Sequence, residues 1–134
     1  MDKDGRNDML FYVAGRISVH FGKRMKIKSL KYTSCHKLVR DRIPEIIEAD
    51  GKICIFETLS DADYIDLLDQ KLNEELAEYH ESKSLEELAD LLEVIQAVVK
   101  ARGWTLEELE QLRADKAARR GGFEKKILLK EVRE

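Results

Sequence analysis

The residues from Lys71 to Val99, KLNEELAEYHESKSLEELADLLEVIQAVV, constrain this chain more than any other stretch. Two helical patterns flank a short polar break, Glu81-Ser82-Lys83-Ser84. Each carries an acid pair at i, i+3: Glu75 with Glu78, then Glu87 with Asp90. On a wheel of about 100° per residue, Glu75 falls inside an apolar arc built from Tyr64, Ile65, Leu68, Leu72, Leu76 and Tyr79, and Glu78 sits on its margin. Glu87 lies between Val94 and Val98, and Asp90 between Val94 and Ala97. Glu74, Glu81, Glu86 and Glu93 fall on the polar sides. A carboxylate on a core-facing stripe is costly unless it is paired or binds a metal. Folding the two helices back on each other brings the four inward acids together, and converging carboxylates require a cation.

Each acid also has a plainer reading. Ser84-Leu-Glu-Glu87 has the form of a capping box, which alone accounts for Glu87. Thr105-Leu-Glu-Glu108 repeats the device, so Glu108 needs no other role. Glu75 has Lys71 one turn away as an ion-pair partner. Capping does not account for Asp90, at mid-helix beside Leu91 and Leu92. Taken together, the four acids favour a metal site.

The rest of the chain reads around this hairpin. Residues 1–31 form an N-terminal extension with a weak strand pattern, in which Ile17, Val19 and Phe21 alternate with Ser18 and His20. The main domain spans 32–134. Pro44 fits a first helical turn and Gly51 a helix end, giving a short helix over about 43–50. Lys52 to Glu57 reads as extended, with Ile53, Ile55 and Phe56. Helices follow over about 61–81, 85–102 and 105–119. The second of these has Leu88, Leu91, Leu92, Ile95, Val98 and Val99 as its apolar arc, and in the third Lys116 falls between Leu109 and Leu112. Arg119-Arg120-Gly121-Gly122 reads either as an anion cradle, with two glycines that let backbone N–H groups approach closely, or as a plain helix end. A final strand is expected from Phe123 to Val132. The fold class is therefore mainly α, an antiparallel helical bundle with short extended segments near the termini.

Composition supports this frame. One proline in 134 residues and 38% charged residues suit helices better than a β-sandwich. The two cysteines lack metal-ligand spacing and are expected to be reduced, in the cytoplasm. The apolar run Met9 to Ala14 is too short to span a bilayer, so no membrane partner is expected. Residues 43–112 hold 19 acids against 5 Lys/Arg, which argues against a nucleic-acid groove there. Residues 1–42 hold 11 Lys/Arg against 4 acids, and residues 113–134 hold 8 against 4. An acidic centre between basic flanks fits metal ions that carry a polyphosphate, but charge alone favours the plainer reading of a solvated helix surface with unrelated basic tails.

Glu74-Glu75-x-x-Glu78 followed by Glu87-x-x-Asp90 resembles the EExxE…ExxD signature of the all-α nucleoside triphosphate pyrophosphatases, the MazG-like superfamily. Lys37-Leu-Val-Arg-Asp-Arg-Ile-Pro, Leu88-Ala-Asp-Leu-Leu-Glu-Val-Ile and Arg120-Gly-Gly-Phe-Glu-Lys are more closely similar to its phosphoribosyl-ATP pyrophosphohydrolase-like branch. The resemblance covers about Tyr32 to Leu129. It departs from the superfamily in the short connection of eight residues between Glu78 and Glu87.

The resemblance implies a homodimer or homotetramer of helical cores. It also implies Mg²⁺-dependent hydrolysis between the α and β phosphates of a nucleoside triphosphate, with Mn²⁺ as an alternative ion. Glu75, Glu78, Glu87 and Asp90 would be the metal ligands, and Glu74 or Glu75 would orient or deprotonate the water. Lys71, Lys116, Arg120, Gly121 and Gly122 would contact phosphates, with Lys37 and Arg40 as further candidates. Two alternatives stand beside this reading: a phosphoribosyl-ATP pyrophosphatase, and a non-catalytic acidic helical oligomer that binds nucleotide or metal.

Overall fold

A computed structural model describes residues 36–134. The expected N-terminal extension and its strand pattern lie outside the described residues. Four helices form among the described residues: α1 (Ile43–Ala49), α2 (Asp61–Ser82), α3 (Leu85–Ala101) and α4 (Leu106–Arg120). Their bounds follow local chemistry. Pro44 opens α1, where its missing N–H loses nothing, and Gly51 follows its end at φ 79°. Acids crowd the first turns of α2, α3 and α4, and Lys100, Arg119 and Arg120 stand in the last turns of α3 and α4. That distribution matches the helix macrodipole at both ends. No strand forms among the described residues, and both 52–57 and 123–132 are without regular structure. A strand needs a neighbour for its backbone groups, and β-branched composition cannot supply one.

The chain divides into two compact units, residues up to Leu67 and residues from Leu68 onward. In the first, Ile43 and Ile47 are buried at i, i+4 on one face of α1, with Val39, Ile46 and Cys54 packed against them. Lys52 pairs with Asp50 just after that helix.

The second unit holds the acidic hairpin. α2 and α3 run antiparallel across the turn Lys83-Ser84, where Lys83 takes a left-handed φ of 54°. Arg102, at the end of α3, reaches back to Asp69 on α2 with Nη2–Oδ2 at 2.8 Å. Both partners of that bridge are part-exposed, so it is worth at most about 1 kcal/mol. Leu68 on α2 and Val94 and Val99 on α3 are the buried apolar residues of this unit. The expected apolar arc of α3 is only partly covered: Leu88 and Leu92 are exposed. α4 buries none of its residues.

Candidate metal centre

Three of the four inward acids of the hairpin converge, and Glu78 stays outside the group. One carboxylate oxygen from each of Glu75, Glu87 and Asp90 lies within 4.8 Å of the others. Helical spacing produces this. Glu87 and Asp90 are one turn apart on the inner side of α3, and Glu75 faces them from α2, eight residues before the turn at Lys83.

Glu75 is the most buried of the three, with 2% of its surface exposed. Its Oε1 lies 3.4 Å from Lys71 Nζ, the ion pair expected from one helical turn of separation. Its Oε2 is buried and accepts no hydrogen bond. A buried carboxylate oxygen without a donor is an expensive state that a cation resolves. Lys71 also reaches Glu74 Oε1 at 3.1 Å, so one ammonium serves two carboxylates.

Burial pushes the Glu75 carboxyl above its ordinary range. Lys71 pulls it back down, and the neighbouring charges of Glu74 and Glu78 push it up again. Burial likewise raises Asp90. Both shifts arise because a low-dielectric environment disfavours the charged form. A bound divalent cation would reverse them.

The other expected site residues are placed as follows. Glu74 is half-buried and held by Lys71. Glu78 is half-buried, outside the group of three, but close enough to act on Glu75 through its charge. Lys71 lies directly against the acids. Lys116 and Arg120 are exposed on α4, and Gly121 ends that helix at φ 82°. A methyl group placed on Gly122 would run into the carboxylate of Glu124, so this backbone is already approached by an anionic group of the chain itself. Lys37 and Arg40 precede α1 in the first unit.

The start of α3 differs from expectation. Ser84 Oγ accepts from Glu87 N–H at 3.4 Å, which is half of a capping box. The reciprocal half is replaced, because Ser84 N–H donates to Ser82 Oγ at 3.3 Å. The Glu87 side chain is turned toward the acidic group instead, with a buried Oε2. Neither Ser82 nor the Asp69–Arg102 bridge was legible as part of this arrangement. The bridge joins residues 33 apart and has no local signature.

The three oxygens suit a hard divalent ion. Carboxylates alone, with no nitrogen or sulfur donor, are a donor set shared by Mg²⁺, Mn²⁺ and Ca²⁺.

No family model matches the chain, and no solved structure matches it. The chain is similar to an uncharacterized protein of Mycolicibacterium smegmatis, with 57% identity over 42 residues. That match covers 31% of this chain and 43% of the relative, so the chain spans less than half of the relative's length. Among the described residues, no helix is long and apolar enough to cross a membrane.

Proposed function

We propose that the chain is a Mg²⁺-dependent nucleoside triphosphate pyrophosphohydrolase that cleaves between the α and β phosphates. The products are a nucleoside monophosphate and pyrophosphate. The observation that carries this reading is the convergence of Glu75, Glu87 and Asp90 to within 4.8 Å around a buried Glu75 oxygen that accepts no hydrogen bond. These three hold the ion, with Glu78 beside them. A divalent cation at such a site neutralises triphosphate charge and lowers the pKa of a water nucleophile.

The remaining chemistry falls to the chain's own side chains. Glu74, on the more open side of Glu75, orients the attacking water or accepts its proton. Lys71 balances Glu74 and Glu75 in the metal-free chain and is the ammonium nearest the site for a phosphate oxygen. Lys116, Arg120 and the backbone at Gly121 and Gly122 supply further phosphate contacts. The protein acts as a homodimer or homotetramer in the cytoplasm. The exposed Leu85, Leu88 and Leu92 on α3 support an oligomer, because apolar residues on a second side of a helix mark it as covered.

The test is pyrophosphate release from a broad panel of ribo- and deoxyribonucleoside triphosphates, and from phosphoribosyl-ATP, with Mg²⁺ and with Mn²⁺. The expected result is metal-dependent release that Glu75→Gln and Asp90→Asn abolish while the chain stays folded. Release from phosphoribosyl-ATP alone selects that substrate within the same chemistry. Metal binding without release from any nucleotide overturns the enzyme and leaves a non-catalytic acidic module.

A further inference from the structure

After α4, the chain continues through residues 123–132 without regular structure. Five large apolar side chains in these ten residues, Phe123, Ile127, Leu128, Leu129 and Val132, are 74 to 97% exposed. Among the described residues, the backbone hydrogen bond in this segment is Lys126 N–H to the carbonyl of Phe123, a local turn. Alternating direction along an extended chain places apolar groups on both of its sides at Ile127, Leu128 and Leu129. A segment of this composition is normally covered.

The same unit offers an uncovered surface of matching character. Leu85, Leu88 and Leu92 lie at i, i+3 and i+7 on the side of α3 turned away from the acids, and Leu85 is 80% exposed. Glu86 and Glu93 flank that face and are exposed. The apolar segment carries Lys125, Lys126 and Lys130 against Glu124 and Glu131, so it is net positive. The other open apolar stripe, Leu109 and Leu112 on α4, has Lys116 between its two leucines and Arg113, paired with Glu110, beside them, so it offers those lysines no net attraction. Charge complementarity therefore selects α3.

We propose that residues 123–132 form an arm that docks on the Leu85–Leu88–Leu92 face of α3 in a second copy of this chain. Docking on the arm's own α3 is open to a single chain, yet the arm stays exposed there. Two-fold symmetry makes the exchange reciprocal, so each copy contributes one arm and one face. A standard interface of about 800 Å² per partner requires an average of roughly 100 Å² from each of these eight side chains, which groups this exposed supply. The proposal identifies the surface of the oligomer assumed above, and it is independent of metal binding and catalysis.

The experiment uses full-length chains without nucleotide or metal. Leu128→Cys in one tagged chain and Leu88→Cys in a differently tagged chain are mixed and oxidised, with the wild-type mixture as control. The expected product is a disulfide-linked pair carrying both tags, absent from the control. Sedimentation equilibrium is expected to show that Lys125→Glu/Lys126→Glu/Lys130→Glu weakens self-association by roughly tenfold or more. Mixing that variant with Glu86→Lys/Glu93→Lys is expected to restore association. The proposal is overturned by a monomeric wild type, by unchanged mass after deletion of residues 123–134, or by the absence of a disulfide-linked pair carrying both tags.

Discussion

Helices α3 and α4 begin with the same signature, Ser84-Leu-Glu-Glu87 and Thr105-Leu-Glu-Glu108, yet the fourth residue has a different fate in each. At α4 the box closes. Thr105 Oγ1 accepts from Glu108 N–H at 3.1 Å, and the Glu108 carboxylate accepts from Thr105 N–H at 2.8 Å. At α3, Ser82 takes the N–H that Glu87 would have taken, and the Glu87 carboxylate turns inward to Glu75 and Asp90. The two acids thus differ in what stands at the cap's N–H: Glu108 itself at α4, and Ser82 in place of Glu87 at α3. The lesson is that a capping pattern fixes where a helix starts, while its surroundings decide what the acid at the third helical position does.

The largest expected effect breaks this pair apart. Substituting a neighbour of a metal ligand typically costs 10–100-fold in affinity, so Glu75→Gln and Glu87→Gln should each cost at least about 100-fold in Mn²⁺ affinity. Glu108→Gln should leave that affinity unchanged, and calorimetric titration of the three variants checks the contrast. The second effect concerns stability. Thr105→Ala removes a complete box and should destabilise the chain by about 1 kcal/mol, read from denaturant unfolding. Ser84→Ala should cost less, because its bond to Glu87 N–H is long at 3.4 Å.

A third effect sharpens the role of the turn. Ser82→Ala leaves Ser84 N–H without its present acceptor and draws Glu87 back toward a closed box. Metal affinity should then fall by about fivefold, the equivalent of one ordinary hydrogen bond. An unchanged affinity would show that Ser82 does not direct Glu87.

The smallest effect is on pH dependence. Glu75 and Asp90 both have carboxyls raised by burial in the metal-free chain. A raised acid binds its proton more tightly when folded, so its contribution to stability is present below the unfolded pKa and is lost as pH rises through the folded value. Metal-free stability should therefore decline as pH rises above the ordinary carboxylate range. Glu75→Gln should flatten that slope, and thermal melts in chelator across the acidic range measure both. A slope that Glu75→Gln leaves unchanged would assign the decline to other groups.

Much of this arrangement was legible in the sequence because its causes are local. Apolar spacing and caps fix the four helices to within a residue or so, and the wheel that turns Glu75 inward and Glu86 and Glu93 outward depends only on helical period. What escaped has non-local causes. The segment 123–132 carries strand-like residues but no neighbouring backbone among the described residues. Leu88 and Leu92 look like core on the wheel, yet a single chain leaves them open. The Asp69–Arg102 bridge and the substitution of Ser82 for Glu87 at the cap depend on how the hairpin closes, and no local spacing encodes that.

In the proposed metal centre, Glu75, Glu87 and Asp90 together hold a divalent cation. Calorimetric titration of Mn²⁺ into the purified full-length chain tests it most directly. The expected result is saturable binding that is lost in Glu75→Gln, Glu87→Gln and Asp90→Asn and retained in Glu108→Gln. Wild-type protein without saturable binding, or triad variants that bind as the wild type does, would contradict it.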